Sequence, residues 1–255
     1  MINYIIATIL ALILGQVTAH FIYRLPEIVV DDDELKKVIP TLKKGFKWDY
    51  KYSILFVILF NLVVYFVDTT FLKYLYMFTI SMMTVAMVID FKMQLIPDTV
   101  QVLLFVLGII ATAVDYTSWL GHLIGFVLGG GIYLLIAGFS ILVFRKEGMG
   151  MGDVKLMACL GLIFGIKALP TGFLDFFAKA DIIFTITILA FFMAAIVAIL
   201  LIVLKKTEHT SYMAFGPYIV IGTILVMLFG TEPFLNAYLN VCTGLSDILV
   251  GWMFK

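Results

Sequence analysis

Eight apolar runs separated by charged or turn-forming residues dominate the chain: 3–22, 52–67, 71–89, 99–114, 120–144, 154–169, 182–204 and 218–230. A helix that crosses a bilayer needs about 20 such residues, since no water reaches its backbone N–H and C=O groups there. The pattern therefore predicts an all-α fold: a polytopic membrane protein with about eight transmembrane helices. Several runs are short, and their ends are marked only by the nearest charge or breaker. Residues 234–254 are less apolar, with Asn236, Asn240 and Asp247, and fit either a ninth span or an interfacial helix.

Composition strengthens this picture. Hydrophobic residues make up 63% of the chain and charged ones 13%, with a mean hydropathy of +1.13. A soluble domain is roughly half apolar and a quarter charged, so the lipid bilayer is the expected solvent. The formal net charge is zero, which leaves no basic surplus to displace counterions from a phosphate backbone and excludes nucleic acid as a partner. No basic region precedes the first run and no small-residue cleavage site follows it, so it reads as a retained span.

If the runs alternate in direction, one side carries thirteen of the seventeen Lys and Arg residues, and the other only Lys73, Lys167, Lys179 and Lys255. The richer side is then expected to face the cytosol, with the amino terminus outside. That side holds one longer loop, 23–51, with six acids, seven bases and almost no aliphatic core. It reads as a solvated connector, with a short charged surface helix as the alternative.

Ionisable groups at membrane depth are costly and tend to mark function. Asp90 ends the third run, Asp98 opens the fourth and Asp153 opens the sixth, all on the lysine-rich side. Pro97 disfavours helix before it and suits a helix start, so Asp98 reads as a cap held by backbone donors. Asp153 follows Gly148, Gly150 and Gly152, whose missing side chains open a notch beside its carboxylate and allow unusual backbone angles. The Walker lysine and hydroxyl are absent, so these glycines are not a phosphate cradle. Two carboxylates in a poorly solvated site hold one proton between them, since both cannot ionise cheaply. One then takes a proton from water as it attacks a carbonyl, and the other hydrogen-bonds the carbonyl oxygen. That chemistry needs no metal.

These residues resemble the type IV prepilin peptidases, a branch of the GxGD intramembrane aspartyl proteases. Ile89 to Asp98 is similar to the family's first catalytic segment, and Arg145 to Leu156 (RKEGMGMGDVKL) to its GxGD segment. Phe215-Gly216-Pro217 resembles the late FGP motif, and Gly15 with Tyr23-Arg24-Leu25-Pro26 the amino-terminal segment. The resemblance implies a hydrolase: an aspartic endopeptidase of a prokaryotic cell (plasma) membrane, with Asp90 and Asp153 catalytic. Gly150, Gly152, Pro97, Asp98, Lys155, Gly216 and Pro217 are the implied substrate-binding or site-shaping residues.

The implied substrates are prepilins or pseudopilins of type IV pilus systems with a hydrophobic N-terminal helix, cut after a glycine at the cytosolic membrane face. Larger members carry two CxxC pairs binding zinc in the first loop, and many also methylate the new amino terminus using S-adenosylmethionine. The loop 23–51 has no cysteine. The expectation is therefore no metal and no cofactor for the peptidase, with S-adenosylmethionine implied only if methyltransferase activity is retained. Residues 1–51 form the reduced methyltransferase-like region and 52–255 the peptidase domain.

Other residues have plainer readings. Gly121, Gly125 and Gly129 make a small-residue face for helix packing. Cys159 and Cys242 read as small buried hydrophobes, His209 as solvated, and Lys155 as a positive-inside lysine that could alternatively stabilise the dyad. The competing function class is an ion or proton-coupled transporter using membrane-edge aspartates. It predicts an internal repeat and mid-membrane acids, neither of which the hydropathy displays.

Overall fold

The computed structural model describes residues 1–29, 49–145, 149–166, 178–204, 214–240 and 243, with side chains 26–29 and 144 set aside. Among them are nine α-helices: α1 (Ile2–Val29), α2 (Tyr50–Phe66), α3 (Thr70–Met93), α4 (Asp98–Val114), α5 (Trp119–Phe144), α6 (Met151–Phe164), α7 (Asp181–Val203), α8 (Gly216–Phe229) and α9 (Glu232–Asn240). Each of the eight apolar runs overlaps one of the first eight helices, and the sixth, 154–169, continues past the end of α6 to residues outside the described ones. The first runs on to Val29, past Tyr23 and Arg24, because a charge marks departure from lipid without breaking a helix. His209, Cys242 and most of the loop 23–51 lie outside the described residues.

The chain is an all-α polytopic membrane protein. Ile2–Leu25, Thr70–Met93, Tyr116–Val143 and Asp181–Val203 are each long and apolar enough to cross a bilayer, whereas α2 and α4 are apolar but shorter. Helices α8 and α9 pass the same test only together, across a bend of 108°. Leu135, Leu142, Phe139 on α5 and Phe192, Ile199, Val203 on α7 are all exposed, as suits side chains whose solvent is lipid. Helix α6 has 14 residues, about 21 Å at 1.5 Å per residue, too short for a core of about 30 Å. It is buried on nearly every side, including Leu156, Met157 and Leu160, so its solvent is other helices.

Turn chemistry sets where helices stop. Helix α3 ends at Gln94 in the left-handed region (φ 53), its N–H bonded to the Asp90 carbonyl, and α5 ends likewise at Arg145 (φ 53). Left-handed backbone at a non-glycine residue costs about 1–2 kcal/mol, and both positions flank the acid-bearing segments. Gly165 (φ +63) and Gly230 (φ +74) end α6 and α8 without that penalty. Asp49 caps α2 by accepting from the Lys51 N–H at 3.1 Å and accepts from the Tyr23 hydroxyl at 2.8 Å, tying α1 to α2.

The small-residue face expected on α5 is the seam with α6. A Cβ at Gly125 would overlap the Gly161 carbonyl, one at Gly129 the Met157 carbonyl, and one at Gly121 would lie 2.6 Å from the Ile166 carbonyl. These backbones touch with no side chain between them. Gly125→Ala must therefore push α5 away from α6, and overpacking of this kind costs about 1–3 kcal/mol. A lower melting temperature in detergent is expected; an unchanged one would show that the seam yields freely.

Helix ends pair in a consistent way. At one end of the bundle Gly216 on α8 meets Asp90 on α3, and Lys155 on α6 meets Asp98 on α4. At the other, His122 on α5 meets the Leu162 carbonyl of α6, and Thr231 meets Asp181 on α7. Helices α3 to α8 thus alternate in direction, and both acids of the RKEGMGMGD and IDFKMQLIPD segments lie at the same end.

Candidate active site

Three acids are buried among the described residues: Asp90, Asp153 and Asp181, with 5%, 7% and 8% of their surface exposed. Asp181 opens α7 at the opposite end, where its carboxylate accepts from the Ile182 N–H (2.9 Å) and the Thr231 hydroxyl (2.8 Å). Its role is accounted for by those bonds. The other two sit where three helices begin and one ends, and their oxygens are only partly engaged.

Asp90 lies in the last turn of α3, and its Oδ2 accepts from the Gly216 N–H at 3.0 Å. Gly216 is the first residue of α8, so the carboxylate faces the positive end of that helix. Pro217 follows and has no N–H, which leaves Gly216 as the forward donor of the FGP turn. A Cβ on Gly216 would lie 2.6 Å from Asp90 Oδ2 and 3.3 Å from the Ile96 side chain. Glycine is required here for close approach.

Asp153 is the third residue of α6, and Gly150 is its N-cap. The Gly150 N–H donates back to the Asp153 carboxylate, the reciprocal half of a capping box. Asp153 Oδ1 is buried with no hydrogen-bond partner among the described residues. Tyr133 is fully buried on α5, its ring packed near Phe191 and Phe215 at centroid distances of 6.2 and 6.1 Å.

The two glycines of the second segment differ in use. Neither has left-handed backbone, so the unusual angles expected of them are absent: Gly150 is extended at φ −74, ψ 146. A Cβ at Gly150 would meet Asp153 Oδ2 at 3.7 Å, an ordinary contact, so this position does not demand glycine for close approach. A Cβ at Gly152 would lie 3.2 Å from Ile96, so this glycine permits α6 to pack on the turn before α4. Ile96 thereby touches the Gly152 and Gly216 positions alike and joins the two acid-bearing halves.

One expectation is corrected, and the alternative reading of Lys155 is replaced by an observed partner. Asp98 makes no capping bond: Pro97 is the N-cap of α4, with φ −62 and ψ 133, and Asp98 is its first helical residue. Its Oδ1 instead pairs with Lys155 Nζ at 2.7 Å. Lys155 therefore answers Asp98 and not the dyad, because its long stem reaches outward past the buried carboxylates. The pair is well exposed (52% and 76%), and surface ion pairs contribute about 0–1 kcal/mol. Asp98→Asn should retain activity within a few fold of the parent; a loss as deep as that of Asp90→Asn would move the first acid to Asp98.

Sequence reasoning passed over Gln101 and Tyr133. Gln101 is buried in the first turns of α4, where its Nε2 donates to the Gly152 carbonyl at 3.2 Å and its own carbonyl faces Cys159 Sγ at 3.5 Å. An amide in the otherwise apolar run 99–114 was the available signal. Cys159 is a buried free thiol, as expected of a small hydrophobe. No cluster of three metal-ligating side chains occurs among the described residues.

A sequence profile described as the type IV leader peptidase family matches residues 77–204. That range carries Asp90, Pro97, Asp98, Gly150, Gly152, Asp153 and Lys155, while Gly216 and Pro217 lie beyond it. Proteins named "Prepilin leader peptidase/N-methyltransferase" are similar to the chain. The one from Stutzerimonas stutzeri is 29% identical over 150 residues, covering 56% of this chain and 45% of that protein. One from Pseudomonas aeruginosa is 30% identical over 149 residues with the same coverage. One from Bacillus subtilis is 30% identical over 168 residues, 65% of this chain and 59% of that protein. The matches thus span about half the length of these curated relatives. No solved structure matches the chain. With a profile that covers half its residues and both segments that meet at the buried acids, the chain belongs to the type IV leader peptidase family.

Proposed function

We propose that this protein is an aspartic endopeptidase that removes the leader peptide of type IV prepilins or pseudopilins at the cytosolic face of a prokaryotic cell membrane, with Asp90 and Asp153 as the catalytic pair. The observation that carries the reading is the burial of these two acids at one end of the bundle, with Ile96 packed against both Gly152, which precedes Asp153, and Gly216, which donates to Asp90. A pair so placed holds one proton, and it supplies a base for water and an acid for the carbonyl oxygen together. The lysine-rich side of the alternating helices is the side of both acids, which favours the cytosolic face. Substrates are helices that enter laterally through lipid, with the bond to be cut just outside the hydrocarbon.

Residues 1–51 are read as the reduced amino-terminal region and 52–255 as the peptidase domain. The relatives' printed names join peptidase and methyltransferase activities; for this chain methyl transfer is a separate outcome of the same experiment. The purified protein is incubated with a candidate prepilin, with and without S-adenosylmethionine, and the product is weighed by mass spectrometry. A new amino terminus directly before the hydrophobic helix supports the peptidase reading, and a further mass of one methyl group supports methylation. An intact prepilin, with pumping of ions or protons by the same protein in vesicles, favours a transporter instead.

A further inference from the structure

Gln101 presents a hydrogen-bond acceptor that nothing among the described residues uses. The side chain is 95% buried (5% exposed), and its Nε2 is committed to the Gly152 carbonyl at 3.2 Å. That bond orients the amide, since only the NH₂ end can serve a carbonyl. Oε1 is left buried without a donor. Asp153 Oδ1, one residue beyond Gly152, is a second buried acceptor without a donor. Buried acceptors are nearly always paired, and each exception asks for an explanation.

Gln101 is bonded to Gly152, the residue before Asp153, so the two orphans belong to one site and call for an occupant that brings donors. An extended peptide brings one N–H per residue. A helical bundle has no free strand edge to meet these groups, since its backbone is consumed within its own helices, and side-chain acceptors must take that role. We propose that Gln101 Oε1 accepts a hydrogen bond from a backbone N–H of the extended substrate segment beside the scissile bond. This rests on the peptidase reading above. Gln101 is then a substrate-binding residue that reads main chain and not side chains, so recognition there is indifferent to the residues flanking the cut.

The test uses the full protein and synthetic substrates in which single amides, one or two residues to either side of the scissile bond, are replaced by esters. An ester has oxygen where the amide has N–H and deletes one donor at nearly constant shape. Gln101→Met deletes the acceptor at similar volume. Each change alone should lower kcat/KM about tenfold, the scale of one lost hydrogen bond in a desolvated site. At one ester position the two together should remain near tenfold, because the second change removes a bond already gone. A role confined to holding Gly152 in place gives multiplied losses at every ester position, and that result overturns the inference while leaving the peptidase intact. If Gln101→Met does not accumulate, Gln101→Asn, which withdraws the amide by one methylene, runs the same cycle. An all-amide substrate left uncut by the parent protein defeats the peptidase reading and this inference with it.

Discussion

Asp90→Asn and Asp153→Asn should each lower prepilin cleavage by roughly a thousandfold or more, within the range that general acid–base groups contribute and their non-additive pairing permits. The fold should survive both changes. Asparagine keeps an oxygen that can accept from the Gly216 N–H at position 90, and from the Gly150 N–H at position 153. What it cannot do is share a proton, so either variant leaves half a dyad and the double variant should be scarcely worse than either single one. Activity of the parent should rise and then fall with pH, since the working form carries one proton on two coupled carboxyls and the limits belong to the pair. Cleavage rates of the purified variants, with melting temperatures in detergent as the folding control, check this. Near-parental activity in one variant would remove that acid from the mechanism.

Gly216→Ala should cost about a hundredfold in kcat, the scale of a displacement of about 1 Å at a reacting group. The added methyl carbon would stand 2.6 Å from Asp90 Oδ2, well inside contact distance. The carboxylate is held on its other side by the last turn of α3 and can only rotate away or push α8 outward. Either motion lengthens the 3.0 Å bond from the Gly216 N–H and changes the distance between the two acids. Substrate binding should change far less, because the change falls on the alignment of a reacting group, so the loss should appear in kcat more than in KM. A variant within threefold of the parent would mean that Asp90 is not positioned by α8.

Much of this arrangement was legible in the residues. The eight helices follow from runs of apolar side chains, because burial of each backbone polar group within its own helix is a local requirement that run length satisfies. The common end of Asp90, Asp98 and Asp153 follows from alternation, which needs only the order of the runs. Spacing of four among Gly121, Gly125 and Gly129 places them on one face, and one face of glycines has one common use. Membrane-crossing length was less legible: the run 154–169 reads as a span and yet α6 has only 14 residues, because an apolar run does not distinguish a helix facing lipid from one facing protein.

The helical class, the membrane setting and the common end of the two acids are thus written in the order of the residues, since each is a sum over neighbouring residues or a parity of crossings. The partners come only from how the helices pack. The donor to Asp90 comes from 126 positions away, Lys155 turns to Asp98 across 57, and Gln101 reaches Gly152 across 51. Hydrogen bonds act over about 3 Å, and which atoms come that close depends on how helices seat against one another, on Ile96 filling the gap between Gly152 and Gly216, and on glycine seams that bring backbones into contact. No periodicity along the chain encodes those distances.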